Sequence, residues 1–292
     1  MSDIKLFQLN GERVRELRGE SVDLEKSLQT LIERNLTDLL KLRLLASEYS
    51  TGKTHGGRID TLALDENNCA VIIEYKRALN ENVINQGLFY LDWLMDHKAE
   101  FTLLAMRQIG PQIAEEIEWS SPRLLCIAGD FTKYDEHAVQ QINRNIELIR
   151  YRRYEDNLLL LELVNATTAT PSNEAAADNE PNVGAKGPYK GFTDLLASAD
   201  SHLQDRFEAL KAFLTALGDD VQVKQLKYYV AFRRLSNFAC VEVHPRDGHM
   251  LVYLKLDPTC VELEKGFTRD VSDIGHYGTG SLEVRICACP VS

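Results

Sequence analysis

Three residues stand out for what their types and spacing could do together: Asp60, Glu74 and Lys76, within Gly57-Arg58-Ile59-Asp60 and Glu74-Tyr75-Lys76-Arg77. Two strand-like runs, 58–64 and 69–76, flank the turn-rich Asp65-Glu66-Asn67-Asn68. A three-residue loop over 66–68, with Asn68 in the left-handed region, makes Asp65 and Cys69 the flanking pair. In that register Asp60 lies opposite Glu74, with Cβ atoms roughly 5 Å apart on one face. Lys76, two residues on, shares that face. Two facing carboxylates repel, and a shared divalent ion relieves the repulsion. Hard oxygen ligands at this spacing suit Mg²⁺ or Mn²⁺, which keep several waters. Such an ion can prepare a water to attack a phosphodiester. Lys76 would orient or help deprotonate that water, or stabilise charge on the phosphate. The bland alternative is a solvated salt-bridge cluster of little energetic worth. Against it, Glu74 and Lys76 close the apolar run Ala70-Val71-Ile72-Ile73, which reads as buried on both sides.

The elements that must position these residues follow from hydrophobic period. Leu24, Leu28, Leu31, Ile32, Leu39 and Leu42 predict a helix over 22–46, capped by Ser21 or Asp23. After the hairpin, 82–97 reads as helix, 101–107 as strand, 110–119 as helix and 123–129 as buried strand. Residues 133–146 read as helix, followed by two strands ending near 164. That order implies an α/β fold, a mixed sheet flanked by helices.

The pattern Asp60 … Glu74-Tyr75-Lys76 resembles the PD-(D/E)XK nuclease superfamily, the restriction-endonuclease-like fold. In that family an acidic residue begins one strand of a hairpin and Glu-x-Lys ends the next. A Glu on the preceding helix is matched here by Glu33, and a Gln-x-x-x-Tyr helix by Gln86 and Tyr90. The likeness covers roughly residues 20–130. It is greatest to the branch holding archaeal and actinobacterial mismatch or flap endonucleases and RecB-type nuclease domains. It implies that Asp60, Glu74 and the Tyr75 backbone carbonyl bind metal and that Lys76 is the catalytic lysine. By the same likeness Glu33 holds a metal or a water. Gln86 would sit near the scissile phosphate, supported by Tyr90. Arg58 and His55 flank the site and could touch phosphate. Arg77 points to the opposite face.

The rest of the chain sets limits. Of 292 residues 44% are hydrophobic and 26% charged, and the net charge is −11. Residues 1–165 carry 20 Lys+Arg against 27 Asp+Glu, so neither half is basic in the way of a non-specific nucleic-acid coat protein. No apolar run reaches the length of a membrane span, and the start lacks a signal-peptide core, so a cytoplasmic protein without membrane partners is expected. Six cysteines without a Cys-x-x-Cys pair read as reduced packing residues. Cys287 and Cys289 with His244 or His249 match no zinc spacing. Arg144, Arg150, Arg152 and Arg153, interleaved with Tyr151 and Tyr154, suit either a stacking surface for nucleic acid or a charge-protected strand edge.

A linker composition over 166–190 separates the domain at 1–165 from a smaller α+β domain at 191–292. In the latter, Asp270–Gly280 resembles the signature of an uncharacterised bacterial domain often found at the C-terminus of nuclease-like proteins. Gly275, Gly278 and Gly280 make no phosphate loop, since no lysine or helix follows. The expectation is a metal-dependent endonuclease acting on nucleic acid, DNA foremost, in repair or defence, with a homodimer left open. The rivals are a catalytically silent nuclease-fold module binding nucleic acid or a protein, and a ligand sensor built on the C-terminal domain.

Overall fold

The computed structural model describes residues 4–20, 25–76, 82–155, 157–169 and 191–287. The helix cap expected at Ser21 or Asp23, Arg77, Cys289 and most of the expected linker lie outside them. The chain divides into two compact units, Met1–Ala169 and Thr170–Ser292. Among the described residues, no helix is long and apolar enough to cross a membrane.

In the first unit the elements run β1 (Leu6–Asn10), β2 (Arg13–Leu17), β3 (Gly19–Glu20), α1 (Glu25–Arg34), α2 (Leu36–Leu40), β4 (Arg43–Ser50), α3 (Gly52–His55), β5 (Arg58–Leu64) and β6 (Cys69–Lys76). They continue with α4 (Asn82–Asp96), α5 (Lys98–Ile109), α6 (Pro111–Glu115), β7 (Glu118–Ala128), α7 (Lys133–Gln140), β8 (Asn145–Tyr154) and β9 (Leu158–Thr167). β1 and β2 form a hairpin of their own. The main sheet has the order β3-β8-β7-β6-β5-β4, with β9 pairing β8. β6, β7 and β8 are parallel and the β4-β5-β6 meander is antiparallel, so the sheet is mixed as expected.

Strand alternation gives the sheet two covered faces. Leu62, Leu64, Ile72, Leu124 and Cys126 join Leu91, Trp93 and Leu94 of α4 in one core cluster. Leu28 and Ile32 of α1 are fully buried, and Gln29 of that helix donates to the Asp60 carbonyl. The turn between β5 and β6 forms as its residues dictate. Asn68 sits at φ 59°, and the Asp65 carboxylate accepts from the backbone N–H groups of Asn67 and Cys69, both at 2.8 Å.

Several expected elements differ. The single helix predicted over 22–46 is two helices, α1 ending at Arg34 and α2 ending at Leu40, where Lys41 turns left-handed at φ 55°. Arg43–Ser50 then form β4, pairing β5 with a bulge between Leu44 and Ala46. The strand expected at 101–107 is part of α5. Phe101 and Ala105, four apart, are buried, while Leu103 and Met106 are exposed, which is a helical pattern. The helix expected over 110–119 ends at Glu115, and the one over 133–146 at Gln140, where β8 soon begins. β9 runs to Thr167, past the expected edge of the first domain.

The second unit holds α8 (Phe192–Ala197), α9 (Ser201–Thr215), β10 (Gln222–Gln225), β11 (Val230–Arg233), β12 (Asn237–His244), β13 (His249–Leu254), β14 (Thr268–Asp270) and β15 (Leu282–Cys287). Its antiparallel sheet has the order β10-β11-β12-β13-β15-β14. Phe192, Leu203, Phe207 and Leu214 of the helices pack on Phe232, Val241, Met250 and Val252. The Gly-rich loop lies close against this sheet. A Cβ on Gly278 would stand 2.6 Å from the Cys240 Cβ, and Gly280 has φ +144° against the Leu254 carbonyl. Thr279 accepts from Asn237 at 3.1 Å. These contacts account for both glycines as packing requirements.

One buried ion network ties the hairpin turn to the sheet. Arg123 of β7 donates to Asp65 at 2.9 Å and to Glu147 of β8 at 2.8 and 2.9 Å, with all three side chains at most 2% exposed. Burial alone would lower the Arg123 pKa, but the Glu147 and Asp65 carboxylates outweigh it and hold the guanidinium charged. Arg123→Ala is expected to strand two buried carboxylates and cost about 3–5 kcal/mol in urea unfolding, whereas an unchanged midpoint would contradict this.

Candidate active site

The β5-β6 register runs Leu64↔Ala70, Ala63↔Val71, Leu62↔Ile72 and Thr61↔Ile73. Continued one step, it sets Asp60 against Glu74. At that step the side chains replace the backbone ladder. The Asp60 N–H donates to Glu74 Oε1 at 3.2 Å, and the Tyr75 N–H donates to Asp60 Oδ2 at 3.0 Å. Each carboxylate is thus held by the other strand's backbone. Glu74 is fully buried and Asp60 partly so.

On the α4 side of the sheet, Gln86 Nε2 donates to Glu74 Oε2 at 2.9 Å and approaches the Tyr90 hydroxyl at 3.4 Å. The Tyr90 oxygen also accepts the Arg58 N–H at 3.1 Å. Gly57 must be glycine for this: a Cβ there would lie 2.5 Å from the Tyr90 ring. α4 is therefore fastened to β5 and β6 through the two polar residues that its i, i+4 spacing brings together.

On the α1 side, Thr61 donates to Glu33 at 2.6 Å, and Gln29 donates to Glu33 at 3.0 Å and to the Asp60 carbonyl at 2.9 Å. The Tyr75 hydroxyl meets Thr61 at 3.4 Å. Burial pushes the Tyr75 phenol pKa well up, and the Glu33, Asp60 and Glu74 carboxylates add to that rise. The three acidic residues therefore surround one buried tyrosine electrostatically. Both bonds fall on Glu33 Oε1, and Gln29 links that carboxylate to the Asp60 backbone.

Lys76 is half-buried at the end of β6, opposite Ala128 of the parallel strand β7. By alternation it is on the face of Glu74. Arg58 sends its guanidinium elsewhere, to Glu48 at 2.7 Å. Of the basic cluster, Arg150 is mostly buried and paired with Asp130 and Glu162, both at 2.9 Å, which makes it a structural cation. Among the described residues, no three or more His, Cys, Asp or Glu side chains gather tightly enough to hold a metal ion. That covers His244, His249 and Cys287. One or two carboxylates are nonetheless the usual protein share of a Mg²⁺-type site, the remaining positions going to water and phosphate.

Sequence reading missed Gln29, Thr61 and the Tyr75 side chain. Gln29 had left a trace: a polar residue between Leu28 and Ile32, one turn before Glu33. Thr61 had none, since a threonine within a strand is ordinary.

Residues 192–286 match the model of a Domain of unknown function (DUF5655). Over 288 residues the chain is 27% identical to an uncharacterized protein of Haemophilus influenzae, covering 97% of this chain and 94% of that protein. A chain from a solved EndoMS–dsDNA2 complex aligns with 50% of this chain at 13% identity and TM-score 0.26. The alignment spans 64% of that chain, less than two thirds of its length. At such a score the likeness fixes no shared architecture.

Proposed function

We propose that the first unit is a divalent-metal-dependent nuclease that hydrolyses phosphodiester bonds, with DNA as the favoured substrate in repair or defence. The observation that carries this reading is the crossed pair of bonds where β5 and β6 part: Asp60 N–H to Glu74, and Tyr75 N–H to Asp60. Two carboxylates that face each other across the hairpin repel, and a divalent cation shared between them relieves that repulsion. Asp60, Glu74 and the Tyr75 carbonyl would hold Mg²⁺ or Mn²⁺. Such an ion, when bound, supplies Lewis-acid charge toward a phosphate oxygen and lowers the pKa of water.

The chain's own residues have separate tasks. The Asp60 and Glu74 oxygens already accept one backbone proton each, which fixes their remaining lone pairs. Gln86 pins Glu74 from α4, and Tyr90 holds Gln86 in turn. Lys76 orients the attacking water or stabilises charge developing on the phosphate. Glu33, through Thr61 and Gln29, keeps the Asp60 backbone where its carboxylate meets Tyr75. Arg58 is a weaker candidate for phosphate contact, because reaching substrate means leaving Glu48. The second unit would select the substrate or partner, a homodimer would pair two such centres, and a cytoplasmic setting suits the free thiols.

With Mn²⁺, the full chain is expected to nick or cut single-stranded, branched or mismatched DNA. Asp60→Ala and Lys76→Ala should each abolish cutting with unchanged circular dichroism, and undiminished cutting by either variant would overturn the reading. Gln86→Ala, which removes the amide that orients Glu74 from α4, should lower kcat about 10- to 100-fold and still leave activity.

A further inference from the structure

We propose that Phe89 and His55 form a stacking platform for an unpaired nucleobase next to the phosphate at Asp60 and Glu74. This rests on the nuclease reading and gives it a substrate class: strands with unstacked bases, whether single-stranded, frayed or flipped out. The platform is built on the face of α4 that already serves the site. Gln86, Phe89 and Tyr90 fall on one side of the helix, and three residues of helix rise about 4.5 Å. Gln86 bonds Glu74 at 2.9 Å, and one turn further Phe89 is 46% exposed.

That exposure is not that of a lone surface ring. Phe89 packs against His55 with ring centroids 5.3 Å apart and against Tyr90 at 5.9 Å. His55 meets His97 edge-on at 5.6 Å, and His97 stacks on buried Trp93 at 4.8 Å and 15°. A ladder of rings thus runs from the core to solvent and holds the outermost ring in a fixed attitude. His55 ends α3, two residues before the Gly57 that lets Tyr90 approach. His55 of the platform and Asp60 of the carboxylate pair therefore lie on the same short segment, residues 55–60. A single exposed ring is ordinary on a protein surface; what sets Phe89 apart is that it packs on His55 and lies one helical turn from Gln86, which bonds Glu74. A nucleobase is the fitting cover, because every base has a π-face and a phosphate of the same strand would lie at the acidic pair.

The test is fluorescence anisotropy of the full chain with a labelled single-stranded oligonucleotide in Ca²⁺, with 2-aminopurine as a stacking probe and Mn²⁺ cleavage run in parallel. Phe89→Ala and Phe89→Leu should each weaken binding about 5- to 150-fold and lose the 2-aminopurine quenching, while Phe89→Trp keeps both. An oligonucleotide with an abasic site should bind the unaltered protein as weakly as the intact one binds Phe89→Ala. If Phe89→Ala and Phe89→Leu bind as tightly as the unaltered protein, which still cuts, the platform is wrong and the nuclease reading stands. If the unaltered protein neither binds nor cuts, the nuclease reading falls and takes the platform with it.

Discussion

A carboxylate buried where two strands part is the constraint on which the first unit's site depends. Glu74 is fully buried, at the end of a strand whose preceding residues are all apolar. A charge there is tolerable only if every oxygen is hydrogen-bonded and the charge itself is offset. The fold answers with a backbone N–H from β5 and an amide from α4, and Lys76 lies on the same face two residues along the strand. The aspartate opposite takes a backbone N–H from β6 in return. Each strand thus completes the other's polar requirements at the point where the ladder ends.

The surrounding structure keeps that exchange in register. The hairpin turn is set by Asp65 and Asn68, and Arg123 anchors the same Asp65 to β8. A slip of one residue would turn Asp60 to the opposite face and break the ion network with it. From α1, Gln29 and Glu33 grip β5. From α4, Tyr90 and Gln86 grip β5 and β6. The site is therefore held for the same reasons that the sheet is stable, and Lys76 closes β6 beside it.

The register at the heart of the site was legible in the sequence because turn residues are specific. Asp65-Glu66-Asn67-Asn68 allows few loops, and counting outward from Cys69 brings Asp60 opposite Glu74. The mixed sheet was legible from the order of its elements. The misread parts share one cause: short apolar runs do not declare their period. Phe101-Thr102-Leu103-Leu104-Ala105 reads as strand until burial of Phe101 and Ala105 reveals a helix. Leu42 and Leu45 continue the rhythm of α2, but Lys41 in the left-handed region ends the helix and yields β4. Partner choice was the least legible of all. Arg58 read as a possible phosphate contact and Arg150 as part of a stacking surface or a charged strand edge, yet each is bound to acidic side chains. Conversely, nothing in the letters distinguished Phe89 from the buried aromatics of its helix.

The central claim is that Asp60 and Glu74 together hold one divalent ion. Isothermal titration of the full chain with Mn²⁺, compared with Asp60→Asn and Glu74→Gln, tests it without reference to any substrate. One Mn²⁺ per chain is expected in the unaltered protein, with at least about tenfold weaker binding in each variant. Equal affinity in all three proteins, or no Mn²⁺ binding in any, would contradict it.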